Sequence, residues 1–176
     1  WRGELVRESW CASCGGARGS IGMVCFNMYI FNRNGVCLHY SEWSRPKNVK
    51  DGAGTLVDDA KMMFGLLFSL KNVCTAIDPT REVKRPLGAP TPHGEGCSFR
   101  SFTTDCYKLH YLDSPSGIKI VLNTSKDVGS LEKQMWVIYS SLYCEYIVKN
   151  PLYTVGEPFE CEQFVQKLNK FVATLG

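Results

Sequence analysis

The stretch VCFNMYIFNRNGVCLHY, residues 24–40, sets the architecture of this chain. Val24 to Asn32 is rich in apolar and aromatic side chains, Asn34-Gly35 follows, and Val36 to Tyr40 resumes the pattern. Asn and Gly both accept positive φ, so this pair between two strand-like runs is the strongest short hairpin signal. The chain is therefore expected to open with two antiparallel strands.

Working outward, residues 44–54 hold Pro46, Gly52 and Gly54 and read as a polar loop. Thr55 to Ile77 reads as a long helix. Thr55 is a capping type, and Asp58 and Asp59 sit in the first turn, where the helix dipole favours acids. Leu56, Ala60, Met63, Leu67, Leu70, Cys74 and Ile77 recur at spacings of four and three. Asp78-Pro79 stops the helix. Residues 79–96 carry four prolines and three glycines and read as an inserted loop. Ser98–Thr103, Cys106–Leu112 and Ile118–Leu122 read as strands, the last two joined by the turn Asp113–Gly117. In the middle one, Tyr107, Leu109 and Tyr111 alternate with Lys108 and His110, as in a half-buried strand. Ser130–Lys149 reads as a second helix with the stripe Leu131, Met135, Ile138, Leu142 and Glu145, ended by Lys149-Asn150-Pro151. Glu160–Leu175 reads as a third, with the stripe Phe164, Leu168, Phe171 and Leu175. Strands linked by tight turns within two groups give an antiparallel, helix-covered sheet, an α+β fold.

Residues 1–22 begin at Trp1 and are rich in Gly, Ser and Arg. They are expected to form a loosely packed extension, with Met23 as a natural start and 23–176 as the folded domain. At 44% hydrophobic residues and 176 in all, the chain can bury one real core. A net charge of +3, with basic residues scattered among 17 acids, argues against nucleic acid as a partner. No apolar stretch reaches the roughly 18 residues that span a bilayer. Ile21 to Phe31 is apolar and follows arginines, but Asn27 interrupts it and no small-residue cleavage pattern follows, so it does not read as a signal peptide. The sequon at Asn123 would matter only in a secreted protein. Nine cysteines at irregular spacing make a poor disulfide framework and point to a reducing, cytosolic setting.

Little here carries chemistry. Cys11-x-x-Cys14 is half a zinc or redox site, without a second pair at a suitable spacing. His39 and His110 lie in strands and His93 in the Pro/Gly loop, poor places for a general base beside a nucleophile. Gly15–Gly19 lacks the Lys-Ser/Thr ending of a phosphate loop. No catalytic residue, cofactor or metal is expected. The informative feature is surplus apolar surface. On the first helix it spans an arc of roughly 240°, where a helix lying on a sheet needs little more than ~100–140°. On the second helix, Trp136, Tyr139, Tyr143 and Ile147 lie off the main stripe. Either the third helix covers this surplus or a permanent partner does.

The motifs carry a resemblance. They are Asn27-Met-Tyr-Ile-Phe-Asn-Arg-Asn-Gly-Val-Cys-Leu38, Lys61-Met-Met-Phe-Gly-Leu-Leu-Phe-Ser-Leu70, Tyr107-Lys-Leu-His-Tyr111 with Ser114-Pro-Ser-Gly-Ile-Lys119, and Tyr146-Ile-Val-Lys-Asn-Pro-Leu152. In this order, over most of 150 residues, the chain resembles the subunit 1 family of the trafficking protein particle (TRAPP) complex, a longin-like, sedlin-type small subunit. The resemblance implies a longin-like (profilin-like) fold, a five-stranded antiparallel sheet with helices on both faces. It also implies a non-catalytic core subunit of a vesicle tether in ER-to-Golgi and Golgi transport. Such a subunit is cytoplasmic and touches cis-Golgi and endoplasmic reticulum membranes peripherally, through the complex. Its partners would be other small TRAPP subunits and, through the assembly, a Rab/Ypt GTPase whose nucleotide exchange the complex promotes. The expected partner interface is Met62, Leu66, Val73, Trp136, Tyr139 and Tyr143. Residues 1–22 have no counterpart in the family, and the loop before Ser98 is longer than in its compact members. The rival readings are another longin module, of SNARE or adaptor type, and a small thiol enzyme with one activated cysteine beside a histidine.

Overall fold

A computed structural model describes residues 23–44, 56–80 and 98–175. The expected extension 1–22, the Thr55 cap, the Cys11/Cys14 pair, His93 and most of the 79–96 insertion lie outside the described residues. The elements are β1 (Cys25–Phe31), β2 (Cys37–Glu42), α1 (Leu56–Ala76), β3 (Ser101–Thr103), β4 (Lys108–Asp113), β5 (Lys119–Thr124), α2 (Glu132–Val137), a π-helix (Ile138–Val148) and α3 (Glu162–Leu175). The five strands form one sheet in the order β2-β1-β5-β4-β3, antiparallel at every pairing.

The opening hairpin forms where expected, but not as a two-residue loop. Phe31 pairs with Cys37, and five residues turn between them. The side chain of Asn32 organises that turn: its Oδ1 accepts the backbone N–H groups of Asn34 and Val36, each at 2.9 Å. Gly35 takes φ +86°, the left-handed conformation that glycine adopts without strain.

Alternate residues of the central strands face opposite layers. Tyr29, Phe31, Leu109, Tyr111 and Val121 pack with Ala60 and Leu67 of α1. Met28, Ile30, Leu112, Ile120 and Leu122 pack on the other face against Leu131, Met135, Ile138, Leu142, Tyr143 and Ile147, with Phe164, Leu168 and Val172 of α3 behind. Each such side chain, fully buried, contributes about 1.5–3 kcal/mol, so the two layers together dominate stability. The result is the expected α+β fold, with helices on both faces of a five-stranded sheet.

Three details differ from the sequence reading. His110 is buried rather than solvent-facing, because β4 is covered on both faces; its Nε2 lies 3.1 Å from Thr124 Oγ1. Ile77 is exposed just past the end of α1 instead of completing its core stripe. The second helix is α-helical for one and a half turns and then widens. Lys149 N–H bonds the carbonyl of Cys144, five residues back, at 3.1 Å. Ser140 Oγ donates to the Trp136 carbonyl at 2.9 Å, occupying the acceptor an α-helical Ser140 N–H would use. This widening turns Tyr143 and Ile147 into the core.

Candidate partner interface

The expected interface residues divide between the two faces of the sheet. Met62, Leu66 and Val73 belong to α1. At about 100° per residue they fall within roughly 40° of one another on the helix, away from the buried line of Ala60 and Leu67. Met62 is 67% exposed, Val73 is also exposed, and Leu66 is half-buried against the Tyr29/Phe31 layer. Gly65 sits beside them in a helix interior, and a Cβ built there would meet nothing within 4 Å. Val57 and Phe68, exposed too, lie on the opposite flank of α1.

Across the sheet, Trp136 is 39% exposed and meets the ring of Tyr139 edge-on at 5.7 Å. Tyr139 is half-buried, and its hydroxyl donates to Ser116 Oγ at 2.9 Å, fixing the pair beside the β4–β5 turn. Tyr143 requires a correction. It is 3% exposed, packed between Tyr139 and Phe159, so its side chain belongs to the core and not to a docking face. Burial pushes its phenol well above the ordinary range, as suits a group never ionised in place.

The alternative that α3 covers the surplus is half right. α3 packs on the π-helix side and helps to enclose Tyr143 and Ile147. It lies on the face opposite α1 and leaves the Met62 flank uncovered. The β4–β5 turn is shared ground between the two candidate faces: Asp113, held by Lys71 at 2.7 Å and Lys119 at 3.5 Å, anchors α1 there, while Ser116 anchors Tyr139.

Among the described residues, both histidines and the thiols of the opening hairpin sit in surroundings that oppose their charged forms. His110 is neutral in the core, its pKa pushed down to about 4 by burial and by Lys108. His39 lies between the rings of Phe159 and Phe164, its pKa lowered by burial despite the Phe159 backbone and Glu160. Burial raises the Cys25 thiol to about 11. Cys37 Sγ approaches the backbone carbonyl of His39 and not its ring. Among the described residues no cluster of His, Cys, Asp or Glu could hold a metal, and no helix is long and apolar enough to cross a membrane. Asn123 of the sequon is buried within β5 and donates to Asn27 Oδ1 at 2.8 Å.

Sequence reasoning missed Leu152 and Val155, the most exposed large hydrophobics among the described residues. They lie in the loop before α3, where no helical or strand period flags them.

A model of the Sybindin-like family matches residues 25–175. The chain is 40% identical over 154 residues to the human trafficking protein particle complex subunit 1, covering 87% of this chain and 94% of that protein. It is 32% identical over 147 residues to the protein of the same name from Dictyostelium discoideum, covering 84% and 93%. It is 30% identical to the transport protein particle subunit bet5 of Schizosaccharomyces pombe, covering 87% and 98%.

Proposed function

Since the chain belongs to the Sybindin-like family, we propose that it works as a non-catalytic core subunit of a TRAPP vesicle-tethering complex. The observation that carries this reading is the outward flank of α1, where Met62 and Val73 stand exposed on the face that α3 does not reach. An isolated small domain gains nothing from such a flank, whereas a permanent neighbour would bury it. Met62, Leu66 and Val73 form one docking face in this proposal, and Trp136 with Tyr139 a second. Tyr143 supports Tyr139 from beneath.

Through these faces the chain helps to build the surface on which the assembly accelerates nucleotide exchange by a Rab/Ypt GTPase. No bond is made or broken by the subunit. The assembly binds the nucleotide-free GTPase more tightly than the loaded form, and that difference drives nucleotide out. The chain then acts in the cytoplasm, held peripherally at cis-Golgi and endoplasmic reticulum membranes through its partners. The names of the relatives support a place as a subunit of such a particle.

The test is reconstitution of the chain with its sister subunits, followed by GDP release from a Rab/Ypt protein. Co-elution with exchange by the assembly but not by the lone chain is expected. Leu66→Asp should remove the chain from the assembly; unchanged co-elution would show that the α1 flank is the wrong face.

A further inference from the structure

The loop between the π-helix and α3 forms a cleft of about 240 Å³, with Ile147, Leu152, Tyr153, Glu157, Phe159 and Glu160 among its lining. Its backbone is fastened at several points. Asn150 Oδ1 accepts the Leu152 N–H at 3.0 Å, and Tyr153 Oη donates to the Glu157 carbonyl at 3.0 Å. Asn32 Nδ2, reaching from the β1–β2 turn, donates to the Gly156 carbonyl at 3.2 Å. Phe159 N–H donates to the Leu38 carbonyl of β2 at 3.0 Å. Yet this tied-down loop holds Leu152 91% and Val155 83% exposed. A loose loop that wets a leucine signifies little; a rigid one that presents two aliphatic side chains to water is a preformed surface.

The charged residues that line it are of one sign. Glu157 and Glu160 line the cleft, and neither makes an ion pair with a described residue. Lys149, at the head of the loop, is turned back to Glu145 at 2.6 Å. Two aromatic rings share the lining, with Tyr153 meeting Phe159 edge-on at 5.8 Å. Carboxylates and aromatic rings lining one cleft favour a lysine or arginine head, and the exposed aliphatics favour an apolar neighbour next to it.

We propose that this cleft docks an extended segment of a partner protein carrying an arginine or lysine beside aliphatic side chains. The cation enters between Glu157 and Glu160 over the Tyr153 ring, and the aliphatic neighbours cover Leu152 and Val155. The site lies beyond the helix faces proposed above and can be tested without any sister subunit.

The probe is an acetylated, amidated pentapeptide alternating leucine and arginine, titrated into the isotope-labelled full chain while amide resonances are followed. Shifts confined to residues 150–161, weakening as salt is raised, are expected. Glu157→Gln should weaken binding about threefold to fivefold, the scale of one partly exposed charge pair. Leu152→Ser should weaken it without changing its salt dependence. The same peptide with glutamate in place of arginine should not bind. Absence of shifts at millimolar peptide, shifts elsewhere, or equal binding of the glutamate peptide overturns the proposal. Because the isolated chain is used, any of these results leaves the assembly assay unaffected, and loss of assembly leaves this titration intact.

Discussion

Gly35 and His110 are two positions where one residue's environment decides what the fold tolerates. At Gly35, φ is +86° and an added Cβ would stand 2.7 Å from the Phe64 ring. Gly35→Ala therefore meets both left-handed strain and a clash that pushes Phe64 off Phe31. A loss of about 2–3 kcal/mol is expected by chemical denaturation; a change below about 0.5 kcal/mol would mean that the turn relaxes freely. His110 makes stability depend on pH. Its pKa is pushed down to about 4 in the fold, from 6.5 for a free side chain. Between those values the unfolded chain binds the extra proton, so stability is full above pH 6.5 and falls as pH drops toward 4. His39 shifts in the same direction. Thermal unfolding of wild type and His110→Gln across pH 4.5–7.5 checks this. The wild-type midpoint should fall more steeply on acidification, and parallel curves would remove His110 from the explanation.

The second helix shows how much an element can hide. On an α-helical wheel, at 100° per residue, Tyr143 and Ile147 lie about 140° and 180° from Ile138, which makes them look like surface. An i→i+5 ladder turns roughly 80° per residue, and the same two side chains then fall within about 50° of Ile138. The structure buries all three. Tyr143→Ala should accordingly cost about 3–5 kcal/mol as a core truncation, while Trp136→Ala, at the rim, should cost under about 1 kcal/mol. Equal small costs, read by denaturant titration, would mean that the segment is α-helical in solution. The order of elements, the hairpin, both long helices and a helix-covered antiparallel sheet were legible because local period and turn chemistry specify them; helices on both faces of that sheet were implied by the family resemblance. The π register was not, since it depends on which side chains find room beneath α3. The burial of His110 was hidden for a similar reason: alternation in one strand does not tell whether a second layer covers it. Leu152 and Val155 were hidden because a loop has no period to read.

Across the whole molecule, the question is which apolar surface exists for the chain itself and which exists for a neighbour. The sheet satisfies its two faces internally, one with α1 and one with α2, the π-helix and α3. That leaves α1 with two exposed flanks, Met62 and Val73 on one and Val57 and Phe68 on the other. The Met62 flank also carries the half-buried Leu66 and lies next to Gly65. A mid-helix glycine costs roughly 1 kcal/mol relative to alanine, and no contact among the described residues explains it here. A partner helix crossing close to the α1 backbone would. The double change Met62→Ser with Val73→Ser should shift the stability of the isolated chain by less than about 1 kcal/mol, because both residues are already wet. It should weaken association with sister subunits by on the order of tenfold or more, because buried apolar anchors dominate an interface. Gly65→Leu should do the same by filling the approach while, if anything, stabilising the helix. Phe68→Ser serves as the control on the other flank. Affinity measured by calorimetry, alongside denaturation of each free variant, separates the cases. Lost affinity with unchanged stability assigns the Met62 flank to a partner. If Phe68→Ser alone weakens association, the docking face is the opposite flank and the glycine needs another account.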